Sequence, residues 1–171
     1  MRCLLTSISL LTIYFGAFAQ PGVWTWMKGG ANGAYSYGTM GVPAATNEPR
    51  ARYAAGNWVD TSGCFWVYGG GNSSQFSDLW KFDPTTLMWT WMNGPAGVGN
   101  DHVIDGAKGV YTQLNQPGGL SWGMNTWVTA NNHFWIFGGS FQGGNNHNLW
   151  QYDPAINQWA WMGDFSNINY G

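Results

Sequence analysis

Short apolar runs recur along the chain in a fixed order, each bounded by turn-forming residues. Residues 65–68 and 134–137 are wholly aromatic or aliphatic, and two glycines follow each run. Such a run between turn signals predicts an inner β-strand that is covered on both faces. After residue 20 no segment shows the 3.6-residue periodicity of an amphipathic helix. The pattern therefore predicts an all-β protein.

Further repeated segments follow each run. An alternating segment at 79–82 and 149–152 leads into an Asp-Pro pair, which suits the opening of a type I turn. A Trp-x-Trp-Met word comes next, at 89–92 and 159–162, and its two indoles share one face if the word is a strand. With a first strand near 53–60 and 120–129, each copy contains four short strands. The repeated positions are Gly69, Gly70, Phe82, Asp83, Pro84, Trp89 and Trp91 in one copy, and Gly138, Gly139, Tyr152, Asp153, Pro154, Trp159 and Trp161 in the other.

Four strands per copy, arranged as successive hairpins, are typical of a β-propeller blade. The double glycine, the Tyr/Phe-Asp-Pro word and the following Trp-x-Trp resemble the kelch repeat, in the variant found in secreted galactose-oxidase-like proteins. The resemblance implies four-stranded antiparallel blades. It implies little about activity, because the same scaffold carries both enzymes and binding modules.

The domain organisation that follows is an incomplete ring, since a propeller needs about four to eight blades. We expect an N-terminal fragment of a longer protein, in which residues 24–27 form a lone strand that completes the last blade. The expected divisions are a signal peptide at 1–19, the closing strand and its connection at 20–46, blades at 47–94 and 115–163, a long loop at 95–114, and the start of a connection to another blade at 164–171.

The N-terminus has the features of a secretory signal. Arg2 precedes an uncharged, largely apolar stretch that ends in Ala17-Phe18-Ala19, a small-x-small cleavage pattern. The alternative, an uncleaved membrane anchor, is disfavoured because the apolar stretch is short for a bilayer. We therefore expect a secreted protein with no span after cleavage. Cys64 is then the single remaining cysteine, and its apolar neighbours favour a buried small hydrophobe over a reactive thiol.

Composition narrows the class of partner. Six Lys and Arg stand against eight Asp and Glu, and they do not cluster. A nucleic-acid binder needs a basic face, so nucleic acid is excluded as a partner. Charged residues make up 8% of the chain and aromatic residues 18%, which excludes a disordered protein. The expected partners are an extracellular protein or a glycan, together with the remaining blades of the same chain.

The densest polar cluster comprises Asp101, His102 and Asp105 in the long loop. One interpretation is a ligand contact, since extended propeller loops often bind. The favoured alternative is a solvated loop whose aspartates bond their own backbone, because the spacing matches no metal site. No catalytic residue, metal site or cofactor is predicted.

The resemblance to galactose-oxidase-like proteins also implies, as an alternative, a copper site with His and Tyr ligands and a Cys–Tyr cross-link. Cys64 and Tyr68 on one strand would be about 13 Å apart, too far to cross-link. The repeated tryptophans are interpreted as packing between blades rather than as sugar platforms. The expected function is a non-catalytic binding or adhesion scaffold. The alternative is an enzyme on the same fold, a galactose-oxidase-like oxidoreductase or a kelch-type sugar epimerase, with its active site largely outside this segment.

Overall fold

Regular structure in the computed structural model is entirely β. It describes residues 22, 24–30, 33–97 and 103–164, and no helix occurs among them. The all-β prediction is confirmed. The strands are β1 (Gly56–Val59), β2 (Phe65–Tyr68), β3 (Leu79–Asp83), β4 (Met88–Asn93), β5 (Tyr111–Thr112), β6 (Ser121–Val128), β7 (Phe134–Phe141), β8 (Gly144–Asn145), β9 (Asn148–Asp153) and β10 (Gln158–Asp164).

The strands form two antiparallel sheets. The first sheet has the order β1-β2-β3-β4, so each strand pairs with the next in sequence. The second has the order β5-β10-β9-β7-β6, with β8 paired to β7. The eight strands predicted within the two copies are all present at the predicted places. Strands β5 and β8 were not predicted, because two residues are too few to show a pattern.

The Asp-Pro pairs open the outer hairpins. Asp83 Oδ1 accepts a hydrogen bond from the Thr85 backbone N–H at 2.8 Å, and Asp153 Oδ1 accepts one from Ala155 at 2.8 Å. An aspartate that bonds the backbone two residues on stabilises a turn before any strand pairing forms. These turns bring β3 against β4 and β9 against β10.

The core lies between the two sheets. On the first sheet, Trp66 contacts Phe134 edge to face at 5.0 Å between ring centroids, and Tyr68 contacts Trp159 at 5.1 Å. Trp58 stacks on Phe134 at 5.4 Å. Truncating a ring in such a core typically costs about 3–5 kcal/mol. The largest fully buried side chains are Trp66, Trp80, Trp150, Trp159, Tyr68, Tyr152, Phe76 and Phe134.

Equivalent residues on the two sheets face the same way. We call one side of each sheet its leading face; it carries Trp58, Trp66 and Tyr68 on the first sheet, and Trp127, Trp135 and Phe137 on the second. The opposite side is the trailing face; it carries Phe65, Val67 and Phe82 on the first sheet, and Phe134, Ile136 and Tyr152 on the second. The interface between the sheets joins the leading face of the first to the trailing face of the second.

The prediction that residues 65–68 are covered on both faces is wrong. Phe65 is 47% exposed, whereas its counterpart Phe134 is fully buried. Side chains alternate along β2, so Trp66 and Tyr68 enter the core while Phe65 turns to the trailing face. No second sheet covers that face among the described residues.

The three segments that contain the Trp-x-Trp pattern, at 24–27, 89–92 and 159–162, differ in burial. Trp159 is 1% exposed and packs between the sheets, and Trp89 packs on Phe82 with ring centroids 4.9 Å apart. Residues 24–27 belong to no strand, and Trp24 and Trp26 are 99% and 76% exposed. The strand expected at 24–27 is therefore absent from the described structure.

The segments that lead into the sheets also repeat. The Asn47 side-chain amide donates to the Trp89 carbonyl at 3.0 Å, and the Asn115 amide donates to the Trp159 carbonyl at 2.9 Å. Each asparagine is buried and ties its segment to the outermost long strand of its sheet. This shared anchor shows that the repeat begins well before β1 and β6.

Candidate functional site

The predicted polar cluster is described only in part. Asp101 and His102 lie outside the described residues, and Asp105 is exposed in the segment before β5. The described residues contain no group of three or more His, Cys, Asp and Glu side chains placed to hold a metal ion. A ligand contact at this loop stays a prediction.

A small polar cluster lies near the start of β7. His133 Nδ1 is 3.3 Å from the Tyr111 hydroxyl, and His133 Nε2 is 3.5 Å from Asp153 Oδ2. Burial raises the pKa of the Tyr111 phenol, and the Asp153 carboxylate raises it further. A phenol with a raised pKa stays protonated at neutral pH, so it serves as a hydrogen-bond donor and not as a base.

Two exposed aromatic rings flank a cleft at the end of the sheets where the double glycines lie. The rings of Tyr53 and Trp122 are 5.3 Å apart between centroids and inclined at 47°, and they are 49% and 63% exposed. The Tyr53–Trp122 cleft has a volume of about 290 Å³ and no charged side chain in its lining. It is lined by Tyr53, Gly71, Asn72, Ser73, Ser74, Gln75, Ser121, Trp122, Ser140 and Gly143.

A β-bulge places Trp122 in the cleft. Tyr53 bridges Gly71 and Gly56 pairs with Tyr68 in the first sheet; Ser121 pairs with Ser140 and Asn125 with Phe137 in the second. One residue more therefore separates Ser121 from Asn125 than separates Tyr53 from Gly56. The pairing shifts between Ser121 and Met124, and Trp122 takes a φ of 38°. Bulges often re-aim a side chain, and a positive φ is unusual for a bulky residue.

Tyr53 is held by its backbone and its hydroxyl. Its N–H donates to the Gly71 carbonyl at 2.9 Å, and its carbonyl accepts from the Gly71 N–H at 3.0 Å. The phenol donates to the Asn72 carbonyl at 2.7 Å. Because both the backbone and the hydroxyl of Tyr53 are held, its ring presents a face to the cleft, and ligand binding does not have to order this side chain.

Gln75 connects the two sides of the cleft. Its amide donates to Ser121 Oγ at 2.8 Å and to the Ser140 carbonyl at 2.9 Å. Its carbonyl accepts from the Gln142 N–H at 3.0 Å. The first sheet's loop is thereby fastened to the second sheet, so the spacing of the two rings is set by hydrogen bonds as well as by packing.

The double glycine allows this close approach. A Cβ on Gly70 would lie 2.6 Å from the Tyr53 carbonyl oxygen, and one on Gly69 would lie 2.5 Å from the Leu120 carbonyl oxygen. The Gly70 N–H donates to the Leu120 carbonyl at 2.7 Å. Only glycine fits at both positions, so this part of the repeat motif also builds the cleft.

A second cleft adjoins the first on the other side of Trp122. Its volume is about 500 Å³, and its lining is again free of carboxylates and of lysine or arginine. The amides of Asn125, Asn145 and Asn146 lie in it together with His147. The Trp122 indole therefore stands between two depressions whose linings contain no carboxylate and no lysine or arginine.

Sequence reasoning missed both rings. Tyr53 and Trp122 fall outside the repeated motif, and a structural role was predicted only for the tryptophans that repeat. One signal in the sequence could have identified Trp122, namely that it has no aromatic counterpart in the first copy. The residue before β1 that also has a positive φ is Ala54. A large apolar residue that is unique to one copy is not explained by packing common to both.

No protein-family model matches this chain, and no curated protein is significantly similar to it.

The described residues include no helix with the length and apolar character needed to cross a bilayer.

Proposed function

We propose that the chain is a secreted, non-catalytic glycan-binding scaffold built from kelch-type propeller blades. Each sheet contains the four expected strands in the expected order, which supports the assignment of one blade per sheet. The ligand site is the Tyr53–Trp122 cleft. The observation that carries the proposal is a pair of exposed, prepositioned rings above an uncharged lining of amides and hydroxyls.

Neutral sugars match this chemistry. A pyranose has an apolar C–H face that packs on an aromatic ring, and its hydroxyls exchange hydrogen bonds with amide and hydroxyl groups at the rim. Binding sites commonly combine an aromatic surface with a few polar groups that fix orientation. A charged ligand would find no counter-ion among the lining residues. The preferred ligand class is therefore a neutral oligosaccharide.

The two rings also favour a high affinity for the ligand. Tyr and Trp supply large contact areas with few rotatable bonds, and they dominate many binding surfaces. Removing one such anchor costs about 2 kcal/mol or more, which is about 30-fold in affinity. No observation on the described residues favours the enzymatic alternative as a second candidate.

The test is binding of the chain to an array of neutral and acidic glycans, followed by calorimetry on the best neutral ligand. We expect Trp122→Ala to weaken that ligand at least about 10-fold and Tyr53→Ala to weaken it by a smaller factor. Trp24→Ala is the matched control, because this exposed tryptophan lies outside the cleft. Absence of binding to every neutral glycan, or equal affinity of Trp122→Ala and the unmodified chain, would refute the proposal.

A further inference from the structure

Among the residues that the structure describes, two sheet faces have no partner sheet, and these two faces are complementary. On the trailing face of the first sheet, Phe65 is 47% exposed while the equivalent Phe134 is 0% exposed. On the leading face of the second sheet, Trp127 is 41% exposed while the equivalent Trp58 is 4% exposed. Each open face is thus one half of an interface whose other half the chain also possesses.

The existing interface shows how such faces join. The Trp58 indole stacks on Phe134 with an interplanar angle of 13°, and its N–H donates to the Trp135 carbonyl at 3.2 Å. Trp66 approaches the same Phe134 ring edge to face. The contact unites a leading face with a trailing face, so it is heterologous and leaves a new copy of each face open at the two ends.

We propose that a second copy of this chain docks the trailing face of its first sheet on the leading face of the second sheet. In this arrangement Trp127 takes the part of Trp58, and Phe65 of the second copy takes the part of Phe134. The indole of Trp127 then lies against the backbone of β2 of the second copy. Continuity with the interface inside the chain is the argument for this occupant.

Charge favours this docking. Lys81 lies on the leading face of the first sheet, where its ammonium is 3.9 Å from Asp60 and 5.5 Å from the Trp66 ring. The equivalent residue on the open leading face is the uncharged Gln151, which pairs with Trp135 across the sheet. Association of copies therefore buries no lysine on this face, and the desolvation cost of an ammonium group does not arise.

The size of the face sets the expected strength. Four strands spaced by about 4.8 Å, with about five residues each at 3.3 Å, present a surface of about 15–20 Å on a side. This is smaller than a standard stable interface, so we expect association in the micromolar range. Because the contact is heterologous, each added copy offers another free face, and growth proceeds to a ring or a filament.

The test is light scattering and sedimentation of the chain between about 1 and 500 μM. We expect reversible growth with concentration. Phe65→Arg blocks the trailing face and Trp127→Arg blocks the leading face, so each variant alone stays monomeric. An equimolar mixture of the two forms dimers and nothing larger, because each variant retains the face that the other lacks. Ile156→Arg, at an exposed turn away from both faces, associates like the unmodified chain.

Three results would overturn the proposal: a monomer at every concentration, a single variant that still assembles, or a mixture of the two variants that stays monomeric. Near-ultraviolet circular dichroism verifies that the variants keep their packed aromatic core. If either arginine variant loses that signal, Phe65→Gln and Trp127→Gln replace it. Glycan binding by the Tyr53–Trp122 cleft is measured separately and does not enter any of these outcomes.

Discussion

Arg52 and Asp78 form a bidentate ion pair inside the protein. Arg52 Nη1 lies 2.6 Å from Asp78 Oδ1 and Nη2 lies 2.9 Å from Oδ2, and the two side chains are 7% and 0% exposed. Tyr37 and Trp80 donate to the same carboxylate at 2.6 and 2.7 Å. This carboxylate therefore joins the segment before β1 to the start of β3.

Breaking this pair should destabilise the protein strongly. Removing one partner of a buried ion pair leaves the other charge uncompensated, at a cost of about 3–5 kcal/mol. We expect Arg52→Leu and Asp78→Asn each to lower the free energy of unfolding in urea by that amount.

The second sheet supplies a control for this experiment. Leu120 and Asn148 occupy the equivalent positions, five residues after the anchoring asparagine and directly before the Leu-Trp pair. The double variant Arg52→Leu/Asp78→Asn carries these two residues in the first sheet and removes both charges. It should therefore recover more than half of the stability lost by Asp78→Asn alone. Additive losses would show that the two residues are not coupled.

The phenol of Tyr37 should give stability an alkaline dependence. Its pKa is raised from 10.0 to about 12, chiefly by burial and secondly by the Asp78 carboxylate. The folded state thus prefers the neutral phenol, and this preference stabilises the protein fully below pH 10 and is lost as pH rises through 12. Tyr37→Phe should cost about 1–2 kcal/mol at neutral pH, from the lost bond to a carboxylate.

The measurement is the difference in melting temperature between the unmodified chain and Tyr37→Phe across this pH range. The difference should shrink from pH 10 to pH 12. Burial also raises the pKa of Tyr68 and Tyr152, so only the difference isolates Tyr37. A constant difference would contradict the assignment.

Alanine substitutions at Gly94 and Gly63 distinguish the energetic cost of a positive φ from that of a steric clash. Both have a φ of +82°, but a Cβ on Gly94 would lie 2.1 Å from the Ser77 carbonyl oxygen, while one on Gly63 would meet nothing within 4 Å. Gly63→Ala should cost about 1 kcal/mol from backbone strain alone. Gly94→Ala should cost about 2–4 kcal/mol, because the backbone must also move. Equal unfolding midpoints for the two variants would contradict this close approach.

The Cys64 thiol should be inert in the folded protein. It is buried, burial raises its pKa, and the Asp60 carboxylate raises it further. In a chain carrying Cys3→Ser, we expect reaction with a disulfide reagent at neutral pH to be at least about 100-fold slower than in urea. A folded-state rate equal to that in urea would show that the thiol is accessible.

The sequence predicted the elements whose signals are local. Runs such as 65–68 and the Asp-Pro turns carry their strand and turn preferences within a few residues, so eight strands could be placed. The exposure of Phe65 could not be predicted, because it depends on whether a distant segment covers that face.

The candidate site illustrates the same limit. Trp122 is exposed because of a pairing shift between β6 and β7, and such a shift is a property of two strands together. The approach of Tyr53 likewise depends on how the two sheets pack. A sequence pattern could indicate that Trp122 was unusual, but it could not indicate which ring would lie beside it.

The extra residue before Asn125 is absorbed locally, since β6 and β7 return to the pairing of β1 and β2 from Asn125 onward. An array of such sheets can therefore gain a binding site when one hairpin is lengthened by a residue. The aromatic packing between the sheets stays the same in every copy. In such an array, avidity becomes a matter of how many copies carry the longer hairpin.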